Sequence, residues 1–172
     1  WFSPNPNPIS TPQRQNIHNR GAIYPGKGIW NENSDFKWNV FCGIYEHNHN
    51  DPKPRTNTGG LYKAQFREDG FVGLACDAKG EFWTTKLQTE SPTIQINAVT
   101  MEHGKIEVGL FDSLIKRHID GYTVEESDPL NGDLQWKTIS WNGDEDVSFF
   151  DDVELRLHVK AKFATIFGFR FR

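Results

Sequence analysis

Hydrophobic and polar residues alternate along most of this chain with a period of two. In VELRLHVKAKFATIFGFRF, residues 153–171, Val153, Leu155, Leu157 and Val159 fall on one side, and Glu154, Arg156, His158 and Lys160 on the other. That is the signature of a strand with one dry and one wet face. After a short connection, Phe163, Thr165, Phe167, Phe169 and Phe171 alternate with Ala164, Ile166, Gly168 and Arg170, which predicts a second strand beside the first. Upstream, Phe36, Trp38, Val40, Cys42 and Ile44 share one side of a strand, as do Tyr62, Ala64 and Phe66. A hairpin-type turn at Asp69-Gly70 leads to Val72, Leu74 and Cys76, and a turn at Lys79-Gly80 to Trp83, Thr85 and Leu87. Ile94, Ile96 and Ala98 come next, and His103-Gly104 turns into Ile106, Val108 and Leu110. LQWKTISW supplies one more strand. About ten short strands punctuated by turns, with no helical period, predict an all-β fold.

We expect an antiparallel β-sandwich, jelly-roll-like, over residues 29–172 as a single domain. An extended proline-rich arm, 1–28, should precede it, because Pro4, Pro6, Pro8 and Pro12 rule out helix and interior strand. Strand phase places Leu155, Leu157, Phe167, Phe169, Ile106 and Val108 in the core and Arg156, Lys160, Lys105 and Glu107 at the surface. The polar stretch EHNHNDPKPRTNTGG is longer than most connections in a compact domain, a length often associated with function.

Composition narrows the function. Nineteen Lys and Arg against 23 Asp and Glu give a formal charge of −4, with no basic footprint for nucleic acid. No apolar run reaches the length of a membrane span, so no membrane insertion is expected. The chain begins at Trp1, as expected of a processed product or a piece of a longer chain. Cys42 and Cys76 permit one disulfide and match no zinc spacing. A bridge and two free thiols both stay open, with both side chains expected to point inward from neighbouring strands.

GLYKAQFREDGFVGLACDAKGEFWTTKL, KIEVGLFD, DGYTVEESDPLNGD, QWKTISWNG and the closing VELRLHVKAKFATIFGFRF, taken in order, resemble a known module. It is the C-terminal β-sandwich of glycoside-hydrolase-like five-bladed propeller proteins, the invertase and fructosidase group. The resemblance covers residues 59–172 and, loosely, 20–58. It implies an accessory domain without catalytic residues, since in that family the propeller holds the catalytic carboxylates.

Several clusters could carry chemistry. Glu125, Glu126, Asp128 and Asp133 crowd into EESDPLNGD. They fit turn chemistry, a calcium site with Asp128 and Asp133 as ligands, or an acid–base pair. A second acidic group, Asp144, Glu145, Asp146, Asp151 and Asp152, fits a solvated loop. His47 and His49 share a face in an extended chain, and would need a third ligand such as Glu46 or Asp51 to hold zinc or copper. Trp30, Trp38, Tyr45, Trp83, Trp136 and Trp141 raise the question of sugar stacking. Trp38 and Trp83 fall on apolar strand phases, which assigns them to the core and leaves Trp30, Tyr45, His47 and His49 as the candidate ligand site, suited to neutral polyols. The reading that follows is a secreted, non-catalytic carbohydrate-binding protein. Two others stand beside it: a carrier of a bulky apolar ligand such as a pigment or lipid, and a structural subunit of an extracellular assembly, a homo-oligomer joined by its arm.

Overall fold

The computed structural model describes residues 23–27, 30–31, 37–45, 59–88, 90–150 and 152–172. Nine strands form two antiparallel sheets among these residues, which is the all-β architecture that the alternation predicts. The chain divides into two compact units between Val72 and Gly73. No helix among the described residues is long and apolar enough to cross a membrane.

The first unit holds a four-stranded sheet: β1 (Ile23–Pro25), β2 (Trp30–Asn31), β3 (Lys37–Tyr45) and β4 (Gly59–Arg67). β1 and β2 both pair with one edge of β3, and β4 pairs with the other. The register sets Trp38, Val40 and Cys42 opposite Phe66, Ala64 and Tyr62, so the two predicted apolar faces coincide. Val40 and Cys42 are buried. Buried Asn39 accepts a hydrogen bond from the Gln65 side chain across the pair at 2.9 Å, which satisfies an amide that would otherwise oppose burial. Of the expected arm, 23–25 form β1, and 1–22 lie outside the described residues, as do residues 46–58 of the polar stretch.

The second unit is built on three long strands. They are β5 (Leu74–Trp83), β6 (Ile94–Asp112) and β9 (Leu155–Phe171), in the order β5-β9-β6. β7 (Arg117–His118) and β8 (Asp133–Thr138) complete the sheet, each pairing with part of β6. Three of the expected turns are not reversals. The chain runs straight on at Lys79-Gly80, which pair regularly just past a bulge at 77–78, while His103-Gly104 and the junction near Lys162 are bulges within continuous strands. At Asp69-Gly70 the chain does turn, with the Gly70 amide donating to Arg67 O. No hairpin follows, because β4 and β5 belong to different sheets.

On β9 the irregularities shift the side-chain phase, because a single unmatched residue turns all later ones to the other face, whereas two extra residues on β5 and four on β6 leave the phase of those strands unchanged. On β9, Leu155, Leu157 and Val159 are buried as expected. Phe163, at φ 46°, then stands unmatched between Lys162 and Ala164. Beyond it Ala164 and Ile166 point inward instead of the predicted Phe163 and Phe167. A second slip at Phe167 restores the first phase, and Phe169 and Phe171 pack against the core. The slips line up across the sheet, at 77–78 on β5, at 163 on β9 and at 101–104 on β6. Gly104 belongs to this line: a Cβ there would sit 2.5 Å from the Phe163 carbonyl oxygen.

Ile94, Ile96, Ile106, Val108, Leu110, Leu157, Val159 and Ile166 from the long strands form one cluster with Leu130, Ile139, Trp141 and Val147. Trp141 is fully buried and donates its indole N–H to Val108 O at 2.7 Å. Both cysteines are free thiols. Cys42 sits in the first sheet and Cys76 in the second, so the expectation of neighbouring strands does not hold. Cys42 is buried, while Cys76 is half-buried with its thiol toward Ala161 O.

Candidate functional site

The polar face of the second sheet collects the chemistry. Pairing registers set Trp83, His158 and Gly109 in one cross-strand row on β5, β9 and β6. Glu81, Lys160 and Glu107 form the next row, and Lys79, Lys162 and Lys105 the one beyond. Phe82, one residue before Trp83, packs against the core. With no reversal at Lys79-Gly80, the inward phase of Leu74 and Cys76 carries on to Phe82 and leaves Trp83 facing outward, where 37% of it is exposed, so the assignment of Trp83 to the core is corrected.

Trp83 is held firmly. Its ring stacks on the imidazole of His158, with centroids 4.1 Å apart and planes 5° from parallel. Phe111 meets it edge-on at 5.1 Å, and the Arg156 guanidinium lies 6.0 Å from its centroid. Arg156 is fixed in turn by donating its Nε–H to Thr84 O at 2.8 Å. His158 is itself only 5% exposed, and a chain of hydrogen bonds sets its orientation. Its Nε2 donates to the Glu81 carboxylate at 2.7 Å, so in the neutral ring Nδ1 carries no proton. That Nδ1 accepts from Nε2–H of His118 at 3.0 Å. His118, on β7, also packs edge-on against Phe111. A carboxylate, two imidazoles and two aromatic rings thus interlock, with one indole left partly open to solvent.

Gly109 leaves room in the Trp83 row for the tight helical turn Val124–Glu126, since a Cβ there would come within 2.7 Å of the Val124 amide. That turn delivers Glu125 to Lys160 at 2.9 Å. The hydrogen bond lowers the Glu125 pKa and raises that of Lys160. The Glu126 carboxylate accepts from both the amide and the hydroxyl of Thr123, closing a capping box. Asp128 accepts from the Ser140 hydroxyl at 2.6 Å and the Gly143 amide at 2.9 Å, which together hold its carboxyl below the usual range. Asp133 opens β8 opposite Val99. Glu126 and Asp128 are thereby engaged in ordering the 123–143 turns, and Glu125 ties the helical turn to β9 through Lys160. Among the described residues, no group of three or more His, Cys, Asp or Glu side chains is arranged to hold a metal ion.

Of the residues singled out from the sequence, Trp30 and Tyr45 are described by backbone register only. Trp30 pairs with Asn39 and Tyr45 with Gly59, so they stand six residues apart along β3, about 20 Å at strand rise. His47 and His49 lie outside the described residues. Trp141 is core, and Trp136 lies under the Arg170 guanidinium at 4.4 Å.

Glu81, His118 and His158 were not singled out. One signal was present in the adjacent Phe82 and Trp83: neighbours on a strand face opposite ways, so one of the two rings had to lie on the wet side. No family model, curated protein or solved structure matches the chain, so the site is read from its own residues alone.

Proposed function

We propose that the chain is a secreted, non-catalytic carbohydrate-binding protein whose platform is Trp83 on the polar face of the second sheet. The observation that carries this reading is a partly exposed indole locked in orientation by His158, Phe111 and Arg156. Sugar stacking needs a flat apolar face that does not lose freedom on binding, with hydrogen-bonding groups at its rim. His158 stiffens the ring, while Arg156 and Glu81 stand close by. The resemblance to an accessory sandwich of sugar-processing proteins points the same way.

A carrier of a pigment or lipid has less behind it. Three grooves among the described residues are lined largely by charged and polar groups such as Lys79, Glu81, Asp144, Glu145 and Glu102. An apolar ligand wants the opposite.

The test is a glycan array followed by titration calorimetry on the wild type and Trp83→Ala. Loss of the stacking face should weaken saccharide binding by about tenfold. Thermal unfolding should change little, because the ring lies outside the core cluster. An array without a ligand, or unchanged affinity in the variant, would remove the reading.

A further inference from the structure

Beyond Trp83 and Glu81, the same face ends in a row of three lysines. Lys79 stands directly opposite Lys162, which stands directly opposite Lys105. Like charges facing one another across strands destabilise a sheet. Only part of this repulsion is relieved from within. Lys105 bonds Glu107 at 2.7 Å, and Lys160 in the next row bonds Glu125. Lys162 lies over the Phe163 ring at 5.3 Å, and Lys79 has no carboxylate partner among the described residues. Around these side chains the sheet forms an open groove of about 430 Å³ lined by Lys79, Lys105, Lys160 and Lys162 against Glu81 and Glu107. The groove is therefore locally positive on a chain whose formal charge is −4. It is also continuous with the platform, since Glu81 lines it and bonds His158 beneath Trp83.

We propose that the ligand is an anionic oligosaccharide, one bearing a uronic-acid carboxylate or a sulfate. One ring stacks on Trp83, and its acidic group is held by Lys79 and Lys162; this rests on the carbohydrate reading above. From Trp83 to Lys79 is four residues of regularly paired strand, about 13 Å, a length that a short oligosaccharide spans. Two lysines facing each other bracket a bound carboxylate or sulfate from both sides, and the anion removes the repulsion between them. Glu107 is paired with Lys105, which offsets its charge toward an incoming anion, and Glu81 is held at the rim by the hydrogen bond from His158.

The experiment is calorimetry on the whole chain with trigalacturonate, a sulfated trisaccharide, neutral cellotriose and inorganic phosphate. The proteins are the wild type, Trp83→Ala and Lys79→Ala/Lys162→Ala. An acidic trisaccharide should bind about tenfold tighter than cellotriose at low salt. The margin should shrink between about 0.05 and 0.5 M salt as screening shortens. The double lysine variant should lose the margin, keep cellotriose binding, and melt no lower than wild type because a like-charge contact is gone. Equal affinity for acidic and neutral probes, or a margin that survives in the double variant, overturns the anionic preference and leaves the Trp83 platform standing. Phosphate binding as tightly as the acidic trisaccharides would reduce the groove to a simple anion site and overturn the saccharide assignment. No binding of any saccharide overturns both readings.

Discussion

At the scale of single residues, hydrogen bonds decide which charged groups are available to a ligand. Asp128 lies in a turn rich in carboxylates, yet its Oδ2 accepts from both the Ser140 hydroxyl and the Gly143 amide. Those bonds depress its folded-state pKa below the ordinary range of an aspartate. A carboxylate depressed on folding contributes stability that is present above its unfolded pKa and lost as pH falls through the folded value. The melting temperature should therefore fall below about pH 4, where Asp128 takes up its proton. Asp128→Asn should lower stability at neutral pH and flatten that acid limb, as thermal melts between about pH 2 and 7 would record. An acid limb identical to wild type would show that the turn does not depend on this charge.

At the scale of elements, the bulges explain most of what distinguishes this sheet from a row of simple hairpins. Glycines at turn-like positions do a different job here. Gly104 lets β6 and β9 approach where four residues of β6 oppose one of β9. A Cβ there would meet Phe163 O at 2.5 Å, Lys162 O at 2.9 Å and Met101 O at 2.9 Å, all backbone atoms that cannot swing aside. Gly104→Ala should thus destabilise by about 3 kcal/mol, the upper end of the usual overpacking range. Urea unfolding monitored by tryptophan fluorescence would measure it, and an unshifted midpoint would contradict the close approach. Directly beside this line of bulges Lys79, Lys162 and Lys105 fall in one row and line the groove.

At the scale of the whole molecule, the second unit has its own core. Every residue of its buried cluster comes from between Ile94 and Ile166, and Phe82, Leu87, Phe169 and Phe171 pack on it from the same unit. A fragment of residues 73–172 should therefore unfold cooperatively by itself, with a single calorimetric transition. A fragment that melts without a transition would show that the first seventy-two residues are needed for folding. The fragment also holds Trp83, His158 and all the lysines of the groove, so its saccharide binding should match that of the whole chain.

Strand character was legible in the sequence because a period of two is a local property. Leu155, Leu157 and Val159 alternate with Arg156, His158 and Lys160 wherever the strand ends up, and their burial followed. The β3 phase through Val40 and Cys42 was equally plain. What the sequence could not decide was whether a glycine or a polar pair reverses the chain or merely lets it bulge. Lys79-Gly80 and His103-Gly104 suit either outcome locally. The choice depends on whether a long neighbour, here β9, is available to pair on both sides of the irregularity. A reversal at Lys79-Gly80 would have let the phase restart, but β5 runs on, the parity of Leu74 and Cys76 continues, and Trp83 lies at the surface instead of in the expected core. The candidate site was hidden for the same reason. Glu81, Trp83, His118 and His158 span seventy-seven residues of sequence between Glu81 and His158, and only the pairing of β5, β9, β6 and β7 sets them side by side.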